Sequence, residues 1–211
     1  MYMAGLAIRS LISLAALALS TALAAQGGAG CDVLAVDSKS FSLDGNNNLI
    51  HFLRPTITQC NLKIEADDAF STGVEFDVHS EWRFTGHVRI TSQGKFMEAE
   101  SAVFAFEKNQ LSHAELTGAP ASFSASRAEL DKEPVRGSAN KILFDYVAQT
   151  LRMSERVVIT KDRLRAQGCD VFYDFKSEGM RSGDADCGAE KFQIRVVNAP
   201  PQPNAAPPAP P

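Results

Sequence analysis

The side chains best suited to acid–base chemistry in this chain are carboxylates set among apolar residues. Asp67 and Asp68 close the stretch ITQCNLKIEADDA (57–69), and Glu98 and Glu100 lie in ITSQGKFMEAESA (90–102). Two neighbouring carboxylates could divide acid and base roles, as glycoside hydrolysis requires. The two stretches match without a gap. Ile57, Thr58, Glu65, Ala66 and Ala69 fall on Ile90, Thr91, Glu98, Ala99 and Ala102, and Asp67 falls on Glu100. A catalytic pair has no reason to be written twice, so an architectural role is the stronger reading. The histidines His51, His79, His87 and His113 are scattered, and neither G-x-S-x-G nor H-E-x-x-H occurs. No enzyme constellation emerges.

Cysteine supplies the other reactive set: Cys31, Cys60, Cys169 and Cys187. An even number in an exported chain points to two disulfides with three possible connectivities. Cys31 with Cys60 and Cys169 with Cys187 are the pairs near in sequence. There is no C-x-x-C, and the wide spacings lack the paired pattern of a zinc site. Neither a metal nor a cofactor is expected.

Export itself is read from residues 1–25. Arg9 precedes the apolar run LISLAALALSTALAA, and Ala22-Leu23-Ala24 offers a small-x-small cleavage site. The run is shorter and more diluted by small residues than a membrane anchor, which needs about 20 apolar residues. Gly28-Ala29-Gly30-Cys31 lacks the bulky aliphatic of a lipoprotein signal. The formal net charge of −4 includes Arg9, so the exported chain is more acidic still. Such a balance argues against a nucleic-acid partner. The folded domain is expected over 31–198. Residues 199–211, APPQPNAAPPAPP, form a Pro/Ala-rich extension that cannot donate to a sheet ladder.

The elements holding these residues read as strands. Trp82, Phe84, Val88 and Ile90 alternate with Arg83, Thr85, His87 and Arg89, a period of two. Leu151, Met153, Val157 and Ile159 do the same apart from Glu155, and Phe192, Ile194 and Val196 form a last set. Turn signals recur at Asp44-Gly45-Asn46, Gln93-Gly94, Glu178-Gly179 and Ser182-Gly183. The 33-residue repeat and two looser copies, around Val157–Ala166 and Val135–Asp145, make roughly four strand-turn-strand units that must bury one another's apolar faces. In the second copy Met97 and Ala99 share one parity, while Ala102, Phe104 and Phe106 share the other. The phase slips at Glu100-Ser101, as a bulge or corner would require.

The phrases VLAVDSKSFSLDG, ITQCNLKIEADDA, FTGHVRI, LTGAPASF, VRGSANKILFD and KFQIRVVNAP, in this order from about Val33 to Asn198, resemble the LptA/OstA-like family of lipopolysaccharide-transport proteins. The family's G-N is replaced by Arg54-Pro55 and Gly86-His87, and its T-G-N by Ser154-Glu155-Arg156. The resemblance implies an all-β fold, a β-taco or β-jellyroll of successive antiparallel hairpins forming a V-shaped groove. It also implies a periplasmic carrier that shields the acyl chains of lipopolysaccharide and performs no chemistry on them. Its implied partners are homologous β-jellyroll domains of inner- and outer-membrane components, and copies of itself joined head to tail.

By the same resemblance, Leu34 and Val36 match the aliphatics of the first strand, and Phe123 matches the aromatic of G-x-P-A-x-F. These are the first groove candidates. Trp82, Phe84, Val88, Ile90 and Met97 follow, although alternating apolar residues in a strand are ordinarily core. The alternative is a β-rich scaffold that uses its edges for protein partners and carries no lipid. An open groove favours the carrier, and a filled interior favours the scaffold.

Overall fold

A computed structural model describes residues 33–72, 79–108, 110–126, 134–183 and 192–196. The expected leader (1–25), Cys31, Cys187 and the tail (199–211) lie outside these residues. The described residues hold fourteen strands and no helix. Six short strands come first: β1 (Ala35–Asp37), β2 (Ser40–Asp44), β3 (Leu49–Leu53), β4 (Thr56–Gln59), β5 (Leu62–Glu65) and β6 (Asp68–Thr72). Six long ones follow: β7 (His79–Ser92), β8 (Lys95–Glu107), β9 (Gln110–Ala125), β10 (Val135–Asp145), β11 (Thr150–Lys161) and β12 (Leu164–Asp174). The chain closes with β13 (Gly179–Ser182) and β14 (Gln193–Val196).

All pair antiparallel in one sheet that does not close on itself. Each long strand crosses a bend. Pairing jumps between Thr85 and Val88 in β7, Glu98 and Ser101 in β8, Ala139 and Lys141 in β10, and Ser154 and Val157 in β11. The jumps align and divide the sheet into two arms. One arm holds β1, β4, β5 and β14, with the 88–92, 95–98, 122–125, 135–138, 157–161 and 164–168 segments of the long strands. The other holds β2, β3, β6, β13 and the remaining halves.

The positions where the G-N phrases are replaced fall at the bend. Arg54 (φ 50°), Gly86 (75°), His87 (47°), Glu155 (65°) and Arg156 (53°) all take left-handed backbone there. A G-N pair supplies that conformation at the lowest cost, because glycine lacks a Cβ and asparagine tolerates it. The expected phase slip at Glu100-Ser101 falls within the register jump of β8. The extra residues, however, sit in the neighbours: Gly86-His87 of β7 oppose Glu100 alone, and Gly118 to Ala121 of β9 oppose Ala99-Glu100.

Alternation puts the apolar side chains of both arms inward, and register aligns them across strands. In the first arm the row runs Val36, Ile57, Ile64, Ile90, Met97, Phe123, Gly137, Ile159, Ala166, Ile194. The repeat is visible here, since Ile57 faces Ile64 just as Ile90 faces Met97. In the second arm the row runs Phe41, Phe52, Ala69, Phe84, Ala102, Leu116, Ile142, Met153, Val171, Ser182. Between the edges the two rows join into one core.

Candidate functional site

The apolar interior between the arms is where the groove candidates converge. Trp82, Phe84, Val88, Ile90, Met97 and Phe123 are all buried, and Leu34 and Val36 are half-buried against the same core. Phe84 meets Phe104 edge-on at 4.8 Å, and Trp82 stacks between Phe52 at 5.3 Å and Phe84 at 6.2 Å. Arg83 and Arg89, one step away on the same strand, are exposed on the outer face.

Filled in its middle, the interior opens towards its ends. The first-arm row stays apolar into both edge strands and the second-arm row stays apolar to the amino-terminal edge, ending on Ser182 at the other; nothing among the described residues covers Phe41, Leu43, Ile194 or Val196 there. At the amino-terminal edge Phe41 is 71% and Leu43 61% exposed. At the carboxy-terminal edge Ile194 is 56% and Val196 69% exposed. A cavity of about 390 Å³ adjoins this second edge, lined by Leu164, Met180 and Val196 with Lys161, Asp162, Arg163 and Glu178.

Across the open side of the fold, the tips of the arms touch. Phe123 of the first arm lies 6.1 Å from Tyr173 and 6.2 Å from Phe175 of the second. Its ring also lies across Gly137, where a Cβ would run into it. Phe175 follows β12 in a turn and meets Phe144 edge-on at 6.1 Å. The Lys95 ammonium sits 5.1 Å above the Phe175 ring, and partial burial lowers the Lys95 pKa from its usual value. Lys161 Nζ donates to the Glu178 carbonyl at 2.9 Å and to Glu178 Oε2 at 3.1 Å. Sequence reasoning missed Phe175, because it stands in the turn DFKSEG, outside any alternating run.

The duplicated acids are placed apart, on the outer side of the bend. Asp67 Oδ2 lies 2.7 Å from His87 Nδ1, Asp68 Oδ1 lies 2.6 Å from His51 Nε2, and Arg89 Nε donates to Glu98 at 3.1 Å. These three acids therefore have separate partners, and His51 in turn stacks on Phe70 at 4.5 Å. Among the described residues no group of three or more His, Cys, Asp or Glu could hold a metal ion. Asp170 has a buried carboxylate and takes two hydrogen bonds from Arg152, both 3.0 Å. Cys60 and Cys169 are each disulfide-bonded.

Residues 63–179 match the family described as LptA/(LptD N-terminal domain) LPS transport protein. The chain belongs to this family. The match spans both arms and the bend, from β5 through the start of β13. Among solved structures, the chain is similar to LptH, the LptA-homologous periplasmic component of the lipopolysaccharide transport device of Pseudomonas aeruginosa. That likeness has a TM-score of 0.51 at 12% identity, and covers 80% of this chain and 96% of the other. It shows a shared fold. No curated protein matches.

Proposed function

We propose that this chain is a periplasmic carrier that holds the acyl chains of lipopolysaccharide between its two arms. Homologous domains of inner- and outer-membrane components, or further copies of the chain, would continue the path at either edge. The observation that carries this reading is the apolar interior that runs across the sheet and ends in exposed apolar side chains at each edge, Phe41 and Leu43 at one and Ile194 and Val196 at the other. Each acyl methylene kept from water is worth about 0.8 kcal/mol, so passage through an aqueous compartment needs such a continuous lining. The edge strands offer unpaired backbone groups for a neighbouring domain to extend the sheet.

The reading requires no chemistry on the cargo, and the acids at the bend serve to hold the corner. The filled middle of the interior supports a second reading, a scaffold joined by its edges and carrying no lipid. The cavity at the carboxy-terminal edge, lined by inward apolar residues of both arms, weighs for the carrier. Depletion of the protein in its own cell tests the choice. Newly made lipopolysaccharide should then accumulate at the inner membrane, and undisturbed arrival at the cell surface would support the scaffold.

A further inference from the structure

The interior is closed along its open side by contacts between arm tips, and these have the character of a releasable fastening. Phe175 is the central piece. It belongs to a turn of the second arm, yet its ring packs on Phe123 of the first and lies beneath the Lys95 ammonium. A short distance along the same rim, Lys161 of the first arm is held by both the carbonyl and the carboxylate of Glu178 of the second. Both side chains of that pair are about a quarter exposed, 28% and 26%, so water competes for the bond. The cavity lined by Leu164, Met180 and Val196 lies directly behind this pair.

We propose that Phe175 and the Lys161–Glu178 pair form a latch that holds the arm tips together in the empty protein. Its release admits an acyl chain sideways through the carboxy-terminal half of the open side. This rests on the carrier reading and adds the place and control of loading. An acyl chain can take over the apolar contacts of the Phe175 ring with Phe123 and Phe144, so displacing the ring leaves the core covered. Parting the tips gives up the partly exposed Lys161–Glu178 contacts, the Lys95–Phe175 cation–ring contact and the Phe123–Tyr173 ring contact. The bend is unaffected, because its hydrogen bonds lie at the far end of each arm.

Two variants test the latch, read first with the apolar dye N-phenyl-1-naphthylamine and then with purified lipopolysaccharide. Lys161→Gln removes the ion pair from a surface position, and dye uptake should rise roughly two- to five-fold. Phe175→Ala removes the ring, with an expected rise of about ten-fold. Lipopolysaccharide binding, followed by photocrosslinking from a benzophenone side chain at position 123, should quicken in the same order. Because Phe175→Ala could unfold the domain, circular dichroism accompanies it, and Lys161→Gln carries the test alone if it does. Unchanged dye uptake in a folded variant would overturn the latch. Faster dye uptake without lipopolysaccharide crosslinks in any variant would leave the latch standing and overturn the lipopolysaccharide reading.

Discussion

Gly137 offers a direct test of how the interior is built. It faces Phe123 across the β9–β10 register, and a Cβ there would collide with the Phe123 ring and lie 3.1 Å from Met153 Sδ. Gly137→Ala therefore adds one methyl to a site with no room, and the ring must move. The ring is itself only 3% exposed and held by Tyr173 and Phe175. Overpacking of this kind costs about 1–3 kcal/mol. For a domain of this size that corresponds to a fall in Tm of roughly 2–12 °C. Phe123→Leu alone should cost about 1–2 kcal/mol on the scale of large-to-small core changes. Combining the two lets the methyl occupy space that the ring has vacated. The double variant should be more stable than the summed single effects allow, by at least about 1 kcal/mol. Equilibrium urea denaturation of the four proteins measures the cycle. Additivity within about 0.5 kcal/mol would refute the placement of Phe123 over Gly137.

Three further outcomes are expected. Gly86→Ala should destabilise by about 2–3 kcal/mol in urea titrations, because a left-handed residue with a Cβ is strained and this Cβ would press on Asp67. The Asp174 carboxylate accepts from the Ser177 and Lys176 amides, which lowers its pKa from the usual carboxylate value. A depressed folded pKa gives stability that is complete above the unfolded pKa, about 3.9, and lost as pH falls through the folded value. The stability gap between wild type and Asp174→Ala should thus narrow on acidification below about pH 4, and a pH-independent gap would contradict this. Peptide mapping of non-reduced protein should join Cys31 to Cys60 and Cys169 to Cys187, and any other connectivity would reject that pairing.

Much of the architecture could be read from the chain because the local period and the global fold agree. Alternation at Trp82–Ile90 and Leu151–Ile159 reports strands buried on one face, and the matched Ile57 and Ile90 stretches report equivalent rungs. The slip at Glu100-Ser101 showed the bend, since a change of parity leaves a trace in side-chain type. Other features leave no such trace. Left-handed backbone at Arg54, Glu155 and Arg156 is imposed by the corner against the preference of those residues. The split pairing of β12, with β13 beyond the bend and β14 before it, depends on long-range register. Phe175 reads as an ordinary turn residue, and only the folding of one arm over the other gives it partners. The matched stretches place Asp67 and Glu100 at equivalent positions, but the partners His87, His51 and Arg89 of the acids near the bend leave no mark in the sequence.

The central claim is that lipid lies between the arms, and site-specific photocrosslinking tests it most directly. Benzophenone side chains at positions 34, 36 and 123 report on the interior, and those at 83 and 89 report on the outer face of the same sheet. With lipopolysaccharide supplied, crosslinks should form from the first three positions and not from the other two. Crosslinks confined to 83 and 89 would contradict the account.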